Sequence, residues 1–237
     1  MSSCFMDWDS AAWEEFAGYC NDNKEIAKVL AIGFDGKYVL DAGCATGRLA
    51  REISRYARSV VGVDASTKMI EYAERTNSTN KIRYEVADIT SLRFRDSEFD
   101  SVVCAWCLHH VENLEGALHE FSRVSKEGIV ILEPLDGNDF DVIGHEYAFL
   151  SGEIYAPEVS SLWWTRLLTT LNSLGYGWTT DVVETVHSYP DTRTSARNIS
   201  YALGIGNAED VEGIVKKRYG MSPKITGTGL LVSASRR

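Results

Sequence analysis

The 237-residue chain predicts an α/β fold: a doubly wound, mostly parallel seven-stranded sheet with helices on both faces. Three observations predict it. Short runs rich in Val and Ile recur, among them "YVLDAG", "VVGVDAS", "FDSVVCAW" and "GIVILEP". The segments between them carry apolar residues at helical spacing, and that alternation calls for parallel strands joined by right-handed crossover helices. The first run ends in a glycine-bearing turn, "DAGCATG", directly before a helix-patterned segment. In open sheets of this kind ligands bind beyond the carboxyl ends of the strands.

Taken in order, 38–43 reads as the first strand, and 47–57 as a helix with Leu49, Ile53, Tyr56 and Ala57 at helical spacing. The second strand is 60–66, and Ser66 is placed to cap the helix that follows. Residues 81–89 and 99–106 read as strands three and four, and 113–125 as a helix with an apolar stripe from Leu114 to Val124. Strand five, 128–134, is stopped by Pro134. Beyond it the pattern loosens: a helix over 160–175, a strand over 181–189, a helical insertion over about 191–220 and a last strand over 229–236.

Composition narrows the function. A hydrophobic content of 44% with mixed charge is that of an ordinary globular protein. A net charge of −10 opposes binding to a phosphate backbone, so no nucleic-acid partner is expected. The acidic start "MSSCFMDWDS" is unlike a signal peptide, and no apolar run reaches membrane-spanning length, so a cytoplasmic protein without a membrane partner is expected. Five scattered cysteines (Cys4, Cys20, Cys44, Cys104, Cys107) do not form a disulfide framework.

The chemistry gathers at the strand ends. Gly43 and Gly47 let the backbone approach a ligand and turn sharply into a helix. Asp64, ending strand two, can accept from both hydroxyls of a ribose, and Asp88, ending strand three, from an exocyclic amine such as that of adenine. The turn and the two aspartates together indicate a nucleoside-containing ligand. "GCATG" lacks the G-x-G-x-x-G spacing of a nicotinamide or flavin site, and no phosphate-binding G-x-x-x-x-G-K-[ST] loop is present. The stretch "CAWCLHH" (104–110) sets Cys104, Cys107, His109 and His110 close together, but no second Cys or His pair accompanies it, so no metal site is expected.

At these residues the chain resembles the class I S-adenosylmethionine-dependent methyltransferases, whose first motif, an acidic residue and G-x-G-x-G after an apolar strand, is met by "VLDAGCATG" with Ala45 at the middle glycine. The likeness covers 38–134 and is greatest to the small-molecule branch with the ubiquinone and menaquinone methyltransferases, through "LHH" after strand four and the Arg-Val helix end before strand five. It implies a Rossmann-like fold and an enzyme that moves a methyl group from S-adenosylmethionine to a small-molecule acceptor, leaving S-adenosylhomocysteine. Asp41 would organise the methionyl end, with backbone of Gly43 and Ala105 near its ammonium, and Cys44 and Gly47 would complete the turn. Asp64 would hold the ribose beside Ala65 and Met69, and Asp88 and the Ile89 amide would meet adenine. His109, near the emerging methyl, is the candidate base. "MDWDSAAWEEFAGY" is similar to the branch's lead helix, so one domain is expected: a helical lid over 1–37, a cofactor-binding core over 38–134, and an acceptor-side region over 135–237 with the helical insertion. Trp8, Trp13 and Tyr19 read as core aromatics or as a lid over the cofactor, with the lid favoured for Trp13 and Tyr19. The aromatic run from Phe140 to Trp164 reads as core or an oligomer interface, which leaves a homodimer open. Arg193 and Arg197 read as solvated charges. A non-catalytic binding protein of the same fold is the alternative, ahead of a nicotinamide-dependent oxidoreductase.

Overall fold

The apolar run that ends at Asp41 and Ala42 forms β1 (Tyr38–Ala42) and takes the middle of the sheet. It pairs in parallel with β2 (Ser59–Asp64) on one side and β4 (Phe99–Ala105) on the other. Next to β2 lies β3 (Ile82–Val86), and next to β4 lies β5 (Ser125–Pro134), both parallel. The far edge is a long antiparallel pair, β7 (Lys224–Arg236) against both β5 and β6 (Tyr176–Ser188). The order is β3-β2-β1-β4-β5-β7-β6, so the expected seven strands are mostly parallel and β7 is the reversed one. Strand order turns around between β1 and β4, where a crevice opens at the carboxyl ends. This computed structural model describes residues 9–20, 24–77, 79–155, 159–205 and 207–237; Trp8 lies outside them.

Successive side chains of a strand face opposite sides of the sheet, and the sequence fills both sides with apolar groups. Leu40, Ile129 and Ile131 face α5 (Leu114–Val124) and α7 (Ser161–Ser173), which contribute Leu118, Phe121 and Leu167. Val39, Val130 and Leu132 face the other way, toward α2 (Lys24–Leu30), α3 (Arg48–Ile53) and α4 (Thr67–Thr76). Ser66 caps α4 as expected, its hydroxyl accepting from the Met69 N–H. A third cluster joins α6 (Asp139–Ser151), α8 (Thr192–Leu203) and α9 (Ala208–Tyr219) through Ile143, Ile199 and Ile214. The pair α8 and α9 is the helical insertion expected between the last two strands.

Several boundaries differ from expectation, and the last two strands begin earlier than the sequence suggests, at Tyr176 and Lys224. Helix α6 falls where the pattern loosens: it is capped by Asn138 and buries only one side, so aromatic and acidic residues interrupt its periodicity. Strand β5 begins at Ser125, directly where α5 ends, without an intervening loop. Strand β3 stops at Val86, which leaves Asp88 two residues beyond it, in the turn.

Candidate active site

The parallel register aligns the strand ends: Asp41 stands opposite Gly62 and Val103, and Asp64 opposite Val86. The turn after β1 is pinned to β2, because Gly43 and Cys44 both donate N–H bonds to the Val63 carbonyl (2.8 and 2.9 Å). Gly43 and Gly47 adopt φ of 78° and 79°. A Cβ on Gly43 would lie 2.1 Å from Cys107 Sγ, and one on Gly47 2.2 Å from Tyr84 Oη, so neither position tolerates a side chain. Ala45 also lies in the left-handed region, at φ 45°, so the residue standing at the motif's middle glycine carries backbone strain.

Asp64 does more than end its strand. One carboxylate oxygen accepts from the Ala45 N–H and the other from the Ser66 N–H, each at 2.9 Å, so it ties the first turn to the start of α4. Burial raises its carboxyl above the usual range, and the two N–H donors pull it back. Asp41 is buried, and its Oδ2 finds no hydrogen-bond partner among the described residues. Burial pushes its carboxyl up to about 7; an N–H of Ala50 opposes that and the charge of Asp64 adds to it. Asp88 is exposed and accepts from the backbone N–H and hydroxyl of Thr90 (2.8 and 2.7 Å). Met69, Ile89 and Cys44 are buried, Ala65 is exposed, and Ala105 closes β4. All ten residues proposed to bind a cofactor thus stand at the ends of β1 to β4 or in the turns and first helical residues that follow.

Beside them opens a cavity of about 380 Å³ between the end of β4, α1 (Ser10–Gly18), α6, α8 and the β6–β7 pair. Trp13, Phe16, Trp106, Phe140, Tyr155 and Tyr201 supply aromatic walls, and His109, His110 and His187 line it too. It abuts the strand ends through Arg48, next to Gly47, and Trp106, next to Ala105. Trp106 is held at φ 55°, a conformation that costs energy in a bulky residue, with its N–H donated to the Leu132 carbonyl at 2.7 Å. Its ring packs where a Cβ on Gly229 would come within 2.7 Å.

His109 points Nδ1 at Glu133 Oε2, 2.5 Å away. Glu133, fully buried near the end of β5, also accepts the backbone N–H groups of Cys107 (3.0 Å) and Leu108 (2.7 Å). It escaped the sequence reading because "ILEP" reads as strand core; its signal was a charge at a position where the strand is buried on both faces. The His110 ring lies against that of His109, centroids 3.8 Å apart and tilted by 47°. Cys104 is in the core, and burial raises its thiol; no group of three or more His, Cys, Asp or Glu converges to hold a metal among the described residues.

Other expected residues part company. Trp13 lines the cavity, whereas Tyr19 packs on Tyr189, ring centres 4.7 Å apart. The aromatic run divides: Trp163, Trp164 and Tyr147 are core, Phe140 and Tyr155 face the cavity, and Phe149 is exposed. Arg193 and Arg197 lie at the surface, paired with Glu212 and Glu15.

Residues 40–132 match the family model described as a methyltransferase domain. This stretch of the chain is similar to that domain. Its span coincides with the stretch from β1 to β5 that builds the strand ends. The chain is similar to a demethylmenaquinone methyltransferase of Tropheryma whipplei (34% identical over 94 residues, 39% of each chain). It is also similar to a ubiquinone biosynthesis O-methyltransferase of Alkalilimnicola ehrlichii (32% over 123 residues, 48% of this chain and 50% of that one). The chain thus spans half or less of those two relatives. The fold agrees with that of Bacillus YcgJ (TM-score 0.67, 17% identity, 90% and 97% covered). It agrees as well with a magnesium protoporphyrin IX methyltransferase of Synechocystis solved with bound SAH (TM-score 0.62, 14% identity, 96% and 95% covered). Among the described residues, no helix is long and apolar enough to cross a membrane.

Proposed function

We propose that this protein transfers a methyl group from S-adenosylmethionine to a small-molecule acceptor and releases S-adenosylhomocysteine. The observation that carries the reading is Asp41: a buried carboxylate whose Oδ2 lacks a partner among the described residues, beside a turn whose glycines leave the backbone open. Buried polar groups are almost always paired, so an orphan here argues for a ligand that supplies the donor. A methionyl ammonium is such a donor, and the ten strand-end residues fit the rest of the cofactor. Asp64 and Asp88 retain accepting capacity for ribose and adenine, and Met69 and Ile89 offer apolar packing. When bound, the cofactor supplies an already activated methyl group, so the protein's task is placement.

The neighbouring cavity is the acceptor's site, with His109 as the base that takes the proton of its nucleophile. Its described lining carries four carboxylates (Glu25, Asp136, Asp141, Glu153) against one guanidinium, Arg48. Arg48 is already paired with Glu25 at 2.7 Å, which favours a neutral or cationic acceptor with apolar rings over a phosphate or carboxylate. The acidic net charge favours a small molecule over nucleic acid and, with scattered thiols, fits a cytoplasmic protein. Isothermal titration with S-adenosylmethionine tests the assignment: micromolar binding is expected, and no heat at millimolar cofactor overturns it.

A further inference from the structure

We propose that Glu133 is the positioning residue of the His109 base: it holds the imidazole as the Nδ1–H tautomer, so that Nε2 takes the proton from the acceptor. The inference rests on the reading of the cavity as a methyl-acceptor site, but its geometry stands apart from the cofactor residues.

Three observations carry it. The Glu133 carboxylate is wholly buried and 2.5 Å from His109 Nδ1, while the His109 ring lines the cavity. An ionised carboxylate is acceptor-only, so the nitrogen facing it carries the hydrogen, and the other ring nitrogen of a neutral imidazole is then the acceptor. Finally, Oε1 is occupied by the N–H groups of Cys107 and Leu108. Those two bonds leave Oε2 to the imidazole and lock the turn that carries His109 onto β5. The same carboxylate thus sets the base's place, its tautomer and its charge balance: when His109 takes a proton, the imidazolium forms beside an anion already buried to receive it. A nucleophile that needs this device reaches the site bearing a proton, as a hydroxyl or an ammonium does.

Proton-detected nitrogen correlation spectra of histidine-labelled protein test this without knowledge of the acceptor, with His109→Asn used to assign the His109 signals among the five histidines. The expected result is an Nδ1–H tautomer for His109 in the wild type, and a titration at least one pH unit lower in Glu133→Gln. Glu133→Asp is expected to restore part of that difference. An Nε2–H tautomer in the wild type overturns the proposal, and that measurement needs no variant to fold. An unchanged His109 titration in a folded Glu133→Gln protein overturns it as well. Cofactor titration on the same samples separates the two readings: the assignment of Glu133 fails with cofactor binding intact, whereas the methyltransferase reading fails by loss of cofactor binding in the wild type.

Discussion

At the end of β5, Glu133 is fully buried and accepts from two backbone N–H groups and the His109 ring, whereas at the end of β1 Asp41 is buried as deeply and leaves Oδ2 unpartnered among the described residues. The two acids stand on strands separated only by β4. One carboxylate is supplied with donors by the fold itself, so its charge contributes to the framework. The other is desolvated without full compensation among the described residues, a cost to the fold that the proposed cofactor would offset. Burial alone therefore does not identify a functional acid; the partner count does.

The largest way to break this comparison is to delete each acid. Glu133→Ala strands two buried N–H groups and an imidazole, and is expected to lower the unfolding free energy by about 3 kcal/mol or more. Asp41→Ala is expected to cost under about 1 kcal/mol at pH 8, where it removes an uncompensated charge. Urea denaturation of both variants decides it, and equal losses would erase the distinction.

A smaller effect sharpens it through pH. The folded carboxyl of Asp41 sits at about 7, above the unfolded value of roughly 3.9. Between those values the folded state binds more protons, so stability is higher at low pH and is lost as pH rises through the window. The slope is at most about 1.4 kcal/mol per pH unit, complete above about pH 7. Urea midpoints of the cofactor-free protein from pH 5 to 8 should fall accordingly, and Asp41→Asn should flatten the curve.

Asp64 lies between the two acids in character, because it holds the Ala45 turn and also keeps capacity for a ribose. Asp64→Ala is expected to weaken S-adenosylmethionine binding by about 1.5–3 kcal/mol by calorimetry. Unchanged affinity would confine Asp64 to its structural bonds. The smallest effect belongs to Ala45, whose φ of 45° suits glycine. Ala45→Gly is expected to raise stability by about 1 kcal/mol in thermal melts, since it relieves the left-handed strain of a Cβ.

The parallel core was legible because its information is local. Alternating strand and helix periods fix β1 to β5, and "DAGCATG", Asp64 and Asp88 announce themselves by residue type at strand ends. The region after Pro134 was less so: α6 buries one side under a mixed aromatic and acidic surface, and its period is blurred. Tyr19 and Trp13, six residues apart, looked alike in the lead segment, yet one packs on Tyr189 and the other lines the cavity. Which neighbours a ring meets depends on α6 and β6, far away in the chain.

By itself, then, the sequence determined the α/β class and which residues gather at the strand ends, and it raised His109 as the candidate base, because periodicity, turn chemistry and side-chain type act over a few residues. Tertiary structure alone decided that Asp41 lacks a full set of donors, that Ala45 and Trp106 carry positive φ, and that Glu133 meets His109 across 24 residues of chain. Hydrogen-bond satisfaction and charge compensation are properties of what surrounds a group in space, and parallel pairing of β4 with β5 is what brings a strand-core glutamate beneath the histidine turn.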